Sequence, residues 1–217
     1  MTDFANARRM MVDGQIRTSD VIDRDLIAAM LSVPRERFAP PAQASVAYLD
    51  RDIAIDRERA MLKPMLVARM IQAAGIGAGD HVLDVAAASG YTSAVLAQLG
   101  ATVVALEDDA ARAGRCGEIL AGLGVGNAKT VCGPLAAGWP ALGPYDAILI
   151  EGACEVEPHD LFAQLKEGGR LVGIFGTGPA GKAMIYRKDR GEVGARPLFD
   201  AAAPALPAFA RAPSFVF

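Results

Sequence analysis

The chain reads DHVLDVAAASGY over residues 80–91 and continues with a helix-like segment over 92–99. An apolar run ends there in small residues, which let the backbone approach a ligand closely. A second apolar run, residues 102–106, follows and is closed by Glu107. This order is typical of the first β-α-β unit of a nucleotide-binding parallel sheet. The acid at the tip of the second strand is placed to accept two hydrogen bonds from a ribose diol.

Strands and helices alternate around this unit. The pattern predicts helices over 64–74, 90–99, 109–122 and 158–165, and strands over 81–86, 102–107, 128–132, 145–151 and 170–175. Such alternation predicts right-handed crossovers and a parallel sheet. Segments 183–188 and 192–199 flank a turn without an intervening helix, which predicts an antiparallel hairpin. Residues 214–217 are expected to add an edge strand.

The first 60 residues have a different pattern. They predict helices over 3–16 and 21–32 and a short helix over 43–47, joined by proline-bounded connectors. We therefore expect a single α/β domain of 217 residues. Its core, residues 61–217, is predicted to be a Rossmann-like, doubly wound sheet with an antiparallel C-terminal hairpin, and residues 1–60 to be an N-terminal helical cap.

Composition excludes several classes of protein. The chain is 52% hydrophobic with a mean hydropathy of +0.25, yet it has no apolar run of about 18 residues, so we expect no membrane span. A net charge of −3 argues against a nucleic-acid surface. The N-terminus shows no secretory signal pattern. Three cysteines and two histidines lack the spacing of a disulfide framework or a metal site, so we expect a cytoplasmic protein without a metal.

The turn itself narrows the choice of ligand. A β-α-β unit suits a flavin, a nicotinamide or a methyltransferase cofactor. Asp84 lies two residues before the small-residue positions, and the sheet ends in an antiparallel hairpin; both features favour S-adenosylmethionine. The competing interpretation makes Asp84 a capping residue of the following helix and Glu107 a surface carboxylate.

Short motifs in a shared order along the chain then identify a family. They are VPRExFxP (33–40), AYxD (47–50), PxxVAxM (64–70), VLD (82–84), SGYxxAVLA (89–97), PYDAI (144–148) and QLKxGGRLV (164–172). With these the chain resembles the protein-L-isoaspartate O-methyltransferase family over nearly its whole length. The resemblance implies methyl transfer from S-adenosylmethionine to the carboxylate of isoaspartyl residues in damaged proteins, which is a protein-repair reaction on a protein or peptide substrate.

The resemblance also assigns site residues. It implies cofactor binding by Asp84, Ala86, Ala88, Ser89, Gly90 and Glu107. On the substrate side, Leu62 and Lys63 stand at the positions of the family's catalytic substrate motif, and Tyr48 is a substrate-binding candidate.

Three departures from the family pattern fall on these positions. Residues 86–90 read AAASG where the family has a glycine-rich GxGSG turn. Residues 133–135 read GPL in place of GDG, and residues 62–64 read LKP in place of SQP. Leu62 cannot hydrogen-bond a carboxylate, and Lys63 is either a point charge for the substrate or a solvated lysine. The departures leave open an impaired or inactive relative that acts as a binding module, or a methyltransferase with a different substrate.

Overall fold

The structure is a computed structural model that describes residues 3–212. Its helices are α1 (Phe4–Met11), α2 (Arg24–Ser32), α3 (Pro64–Ala74), α4 (Tyr91–Gln98), α5 (Ala110–Gly122) and α6 (His159–Ala163). Its strands are β1 (Ile53–Ala54), β2 (Ala60–Met61), β3 (His81–Val85), β4 (Thr102–Glu107), β5 (Ala128–Cys132), β6 (Tyr145–Cys154), β7 (Leu165–Phe175), β8 (Lys182–Asp189) and β9 (Glu192–Asp200).

Seven of these strands form the main sheet, in the order β5-β4-β3-β6-β7-β8-β9. Strands β3 to β7 run parallel, while β8 and β9 are antiparallel. The predicted doubly wound sheet with an antiparallel C-terminal hairpin is therefore confirmed. The strand order reverses between β3 and β6, and in sheets of this kind ligands bind outside the carboxyl ends of the strands at that point.

The N-terminal region is mainly helical, as predicted. Asp3 caps α1 by accepting a hydrogen bond from the amide of Asn6, and Asp23 caps α2 in the same way. Helix α1 continues as a π-helical turn over Val12–Ile16, so that Val12 and Ile16 face the core. The short antiparallel pair β1–β2 was not predicted, because two-residue strands carry no detectable periodicity.

Two apolar clusters cover the two faces of the sheet. Alternate residues of each strand point to opposite faces, so Val82 packs with α3 and α4 while Leu83 packs on the side of α6. Asp84 shares the face of Val82. This face, which α3 and α4 cover, is called the helical face below, and Asp84 places a buried carboxyl group on it.

Two predicted strands are shorter than the observed ones. Strand β6 runs on to Cys154, and β7 begins at Leu165, which pairs with Tyr145 before an irregularity in the register. Residues 168 and 169 are glycines that suggested a loop, but they lie within β7 at that irregularity. The edge strand predicted over 214–217 lies outside the described residues. Over residues 3–212, no helix combines the length and the apolar character that a bilayer crossing requires.

Candidate functional site

The turn after β3 has a left-handed backbone at three positions. The φ angle is +62° at Ala86, +53° at Ala88 and +90° at Gly90. Residues with a Cβ rarely adopt this region, at a cost of roughly 1–2 kcal/mol each. Hydrogen bonds from the amides of Ala86 and Ala87 to the carbonyl of Leu106 hold the turn. The two alanines therefore stand where glycine is the ordinary residue.

Glu107, at the end of β4, is completely buried next to this turn. Its carboxylate accepts a hydrogen bond from the amide of Ala88 at 2.7 Å and from Nε of Arg112 at 3.1 Å. Nε of Arg59 lies 3.2 and 3.3 Å from its two oxygens. Burial raises the pKa of Glu107, while the two arginines and the Ala88 amide oppose that rise. Glu107 is thus no surface carboxylate, and its oxygens already have partners.

Arg59 and Arg112 belong to a wider ionic network. Nη2 of Arg59 donates to Asp108 at 2.7 Å, and Nη2 of Arg112 donates to the same oxygen at 2.6 Å. Nη1 of Arg112 reaches Asp56 at 3.0 Å. The network ties the segment between β1 and β2 to the start of α5, directly over the end of β4.

The β1–β2 pair also covers the turn. The hydroxyl of Ser89 donates to Sδ of Met61 in β2 at 3.8 Å, and both residues are buried. Gly90 is confined from another direction, since a Cβ there would lie 2.7 Å from Sγ of Cys116 in α5. Ser89 and Gly90, both predicted to bind the cofactor, therefore lie in the turn beside Glu107.

Asp84 and Glu151 form a second buried feature at the point where the strand order reverses. Oδ2 of Asp84 accepts a hydrogen bond from the hydroxyl of Ser93 in α4, but Oδ1 has no partner within residues 3–212. Oε1 of Glu151, near the end of β6, is likewise unpartnered there. Burial raises the pKa of Asp84 to about 7 and that of Glu151 to about 8. Repulsion from Glu107 adds to the rise in the pKa of Asp84, and repulsion from Asp84 adds to that of Glu151.

A buried arginine connects this centre to the predicted substrate motif. Arg35 is completely buried and lies 4.5 Å from the ring centroid of Tyr91. It donates to the carbonyls of Ala47 at 2.8 Å and Leu62 at 2.6 Å. Its charge also lowers the pKa of Glu151, although burial has the larger effect.

The three substrate-side candidates, Leu62, Lys63 and Tyr48, have different environments. The side chain of Leu62 is buried in the apolar cluster on the helical face. Lys63 is the N-cap residue of α3, is partly exposed, and its amide donates to Asp52 at 2.8 Å. The hydroxyl of Tyr48 donates to Glu36 and accepts from Nε of Arg8. The structure brings the six cofactor candidates to one edge of the sheet. The hydroxyl of Tyr48, in contrast, is hydrogen-bonded to two residues of the N-terminal helical cap.

The second departure from the family pattern, GPL at residues 133–135, lies at the same edge. The amide of Gly133 donates to the carbonyl of Glu107 at 2.8 Å. A Cβ on Gly133 would lie 2.8 Å from the ring of Trp139, and Leu135 is buried. The segment after β5 is therefore closed by apolar side chains where the family has an acidic residue.

One cavity borders the turn from the side of α5. It has a volume of about 370 Å³ and is lined mainly by apolar groups, among them Phe38, Ile55 and Ile119, together with Ala88 and Ser89. Its size falls within the range of small-molecule sites. Since Asp84 and Glu107 are fully buried, neither carboxylate opens to solvent through it.

Three residues of the site, Arg59, Arg112 and Glu151, were not predicted from the sequence. Arg112 lies five residues after Glu107, on the next helix, so its contact with Glu107 could have been predicted. Arg59 is 48 residues away from Glu107, and no periodicity or motif connects the two. Glu151 follows an apolar run just as Glu107 does. This shared pattern could have predicted a buried acid at that position.

Comparison with known proteins agrees with this architecture. The family description "Protein-L-isoaspartate(D-aspartate) O-methyltransferase" matches residues 6–200. Protein-L-isoaspartate O-methyltransferase 2 of Anaeromyxobacter sp. (strain Fw109-5) is 40% identical over 178 residues, which cover 82% of this chain and 72% of that protein. The enzyme of the same name, without the numeral, from Methylorubrum extorquens (strain PA1) is 40% identical over 188 residues, covering 87% and 81%.

Solved structures share the fold. A protein-L-isoaspartate O-methyltransferase from Plasmodium falciparum, crystallised with S-adenosyl-L-homocysteine, has a TM-score of 0.81 at 19% identity and covers 96% of this chain and all of its own. A second protein-L-isoaspartate O-methyltransferase has a TM-score of 0.79 at 24% identity, covering 91% of this chain and 65% of its own. The sequence relatives and the match over residues 6–200 show that the chain belongs to the protein-L-isoaspartate (D-aspartate) O-methyltransferase family.

Proposed function

We propose that this chain uses S-adenosylmethionine to methylate the carboxylate of isoaspartyl residues in damaged proteins. The observation that carries the proposal is the family match over residues 6–200, which spans the turn after β3 and all strands of the sheet. We place the reaction in the cytoplasm, on protein or peptide substrates. The net charge of −3 speaks against a nucleic-acid substrate held by bulk charge.

The residues at the strand ends fit the cofactor in part. The left-handed turn at residues 86–90 brings the backbone to the edge of the sheet, and Asp84 keeps one buried oxygen without a partner. Glu107 fits a ribose only when part of its present set of protein donors is released. When bound, S-adenosylmethionine supplies an electrophilic methyl group, and Asp84, the turn and Glu107 would hold it.

The chemistry asks little of the protein beyond positioning. A substrate carboxylate with a pKa near 4 is ionised at pH 7, so it is a nucleophile without a general base. Catalysis then comes mainly from proximity and orientation. Burial holds Glu151 largely in its uncharged form at neutral pH, since its pKa is raised to about 8. The neutral carboxyl at the centre of the edge does not repel an incoming carboxylate. Lys63, at the start of α3, adds a positive charge close to the family's substrate position.

A methyl-transfer assay tests the proposal. An isoaspartyl peptide and its normal aspartyl twin are each incubated with the protein and S-adenosylmethionine labelled in the methyl group. We expect label in the isoaspartyl peptide and little in the twin, with base-labile methyl esters as the product. Equal absence of label in both peptides contradicts the proposed function. Lys63→Met is expected to raise KM for the peptide, because it removes the positive charge near the substrate carboxylate.

A further inference from the structure

A hairpin loop, residues 55–59, connects β1 and β2 and closes over Glu107. Two backbone hydrogen bonds close it: the amides of Ile55 and Asp56 donate to the carbonyl of Arg59 at 2.8 and 3.2 Å. Oδ1 of Asp56 accepts from the amides of Glu58 and Arg59, each at 2.9 Å. These bonds turn the side chain of Arg59 inward, where it is 1% exposed.

The carboxylate of Glu107 is saturated in this arrangement. A carboxylate offers about four lone-pair sites. Four donor groups are directed at Glu107, namely the amides of Ala88 and Asp108 and the Nε groups of Arg59 and Arg112. A ribose diol needs two acceptor sites on this acid, so two occupied sites have to be vacated before a ribose binds. The Nε group of Arg59 contacts both oxygens of Glu107, so its departure frees space on each of them.

Arg59 is the donor that is suited to leave. The other three belong to the turn after β3, the end of β4 or helix α5, which form the frame of the site. Arg59 belongs to the hairpin loop, and its Nη2 also contacts Asp108, whose side chain is 32% exposed. A rotation about the outer bonds of Arg59 lets it keep the ion pair with Asp108 and release Glu107.

We propose that Arg59 is a built-in competitor for the cofactor: its guanidinium occupies the ribose-binding oxygens of Glu107, and the cofactor binds only when Arg59 is displaced. The inference rests on the proposed function, since it assumes that Glu107 binds the ribose of S-adenosylmethionine. It also follows that the hairpin loop sets the affinity for the cofactor, so that sequence changes at residue 59 tune that affinity while the acid stays in place.

Calorimetric titration with S-adenosylhomocysteine tests the competition. The proteins are the wild type, Arg59→Ala, Arg59→Gln and the matched control Arg57→Ala, which removes an exposed arginine from the same loop. Circular dichroism and thermal unfolding confirm the fold of each. We expect both Arg59 variants to bind about tenfold or more tightly than the wild type, and Arg57→Ala to bind as the wild type does.

A rescue experiment separates competition from a change in shape. Low millimolar guanidinium chloride is expected to weaken S-adenosylhomocysteine binding to Arg59→Ala, because the free ion takes the vacated place on Glu107. The same concentration of sodium chloride should have no such effect, and the wild type should not respond. Measurable but equal affinities of the wild type and both Arg59 variants would overturn the competition and leave the proposed function standing. Absence of binding by all four proteins would overturn the proposed function itself, and the competition with it.

Discussion

Ser93 donates its hydroxyl to Oδ2 of Asp84 at 2.5 Å, across the contact between α4 and β3. Both residues are completely buried. The bond satisfies one oxygen of a carboxyl group that has no partner for the other within residues 3–212. The centre of the helical face therefore depends on a single side-chain donor for its buried acid.

Ser93→Ala is expected to destabilise the protein. The change leaves a second oxygen of Asp84 without a hydrogen bond, which costs roughly 1–3 kcal/mol of unfolding free energy. Urea denaturation followed by circular dichroism measures the loss. Ser45→Ala is the matched control, because Ser45 is exposed. An equal effect of the two substitutions would show that the Asp84–Ser93 bond does not contribute.

Stability should fall with rising pH because of Glu151. An acid whose pKa is higher in the folded state binds more protons there, so the free energy of unfolding decreases as pH rises between the two pKa values. For Glu151 that window runs from near 4.3, the unfolded value, to about 8. We expect Glu151→Gln to lose less stability than the wild type between about pH 5 and about pH 8.

Urea denaturation at several pH values across this window measures the difference. Glu118→Gln serves as the control, since Glu118 lies on the exposed side of α5. The wild type and Glu118→Gln should share one pH dependence. If Glu151→Gln also follows it, Glu151 does not titrate as its burial requires.

The protein should be more stable with glycine than with alanine at positions 86 and 88 of the turn. Ala86 and Ala88 both have positive φ, which costs roughly 1–2 kcal/mol for a residue with a Cβ. Replacing alanine by glycine removes this cost, but the greater conformational freedom of glycine in the unfolded chain cancels about half of the gain in stability. We therefore expect Ala86→Gly and Ala88→Gly each to raise the free energy of unfolding, by up to about 1 kcal/mol.

Ala105→Gly, in the middle of β4, is the control and should lower stability, because that residue has extended backbone and a buried methyl group. Thermal unfolding compares the three variants with the wild type. A loss of stability in all three would mean that the turn tolerates the methyl groups without strain.

Arg35 should be needed for the fold. Its guanidinium donates to the buried carbonyls of Ala47 and Leu62, and Arg35→Met leaves both without that donor. Each unsatisfied carbonyl costs roughly 1–3 kcal/mol. Arg37→Met, which changes an exposed arginine of the same connector, is expected to have little effect. Denaturation midpoints and m-values of both variants check the prediction, and similar midpoints would contradict it.

Much of the fold was readable from local patterns. The helix at 64–74 and the strands at 102–107 and 128–132 have their predicted bounds. Pro64 and Gly75 mark the ends of the helix, Gly133 follows the strand at 128–132, and the apolar run of the strand at 102–107 ends at Glu107. The hairpin formed by β8 and β9 followed from the absence of a helix between two strand-like segments. The lengths of β6 and β7 did not, because pairing with a neighbouring strand extends them through glycines that read as loop.

The sequence by itself determined the sheet, the turn after β3, and the position of Glu107 at the end of β4, since these depend on the order of apolar runs and small residues along the chain. Only the tertiary structure decided what Glu107 contacts. Arg59 lies 48 residues earlier, on a hairpin loop too short to have a pattern, and it reaches the acid because chain folding places the cap over the strand ends. Local sequence specifies backbone conformation, whereas the partner of a buried charge depends on which distant segments pack together.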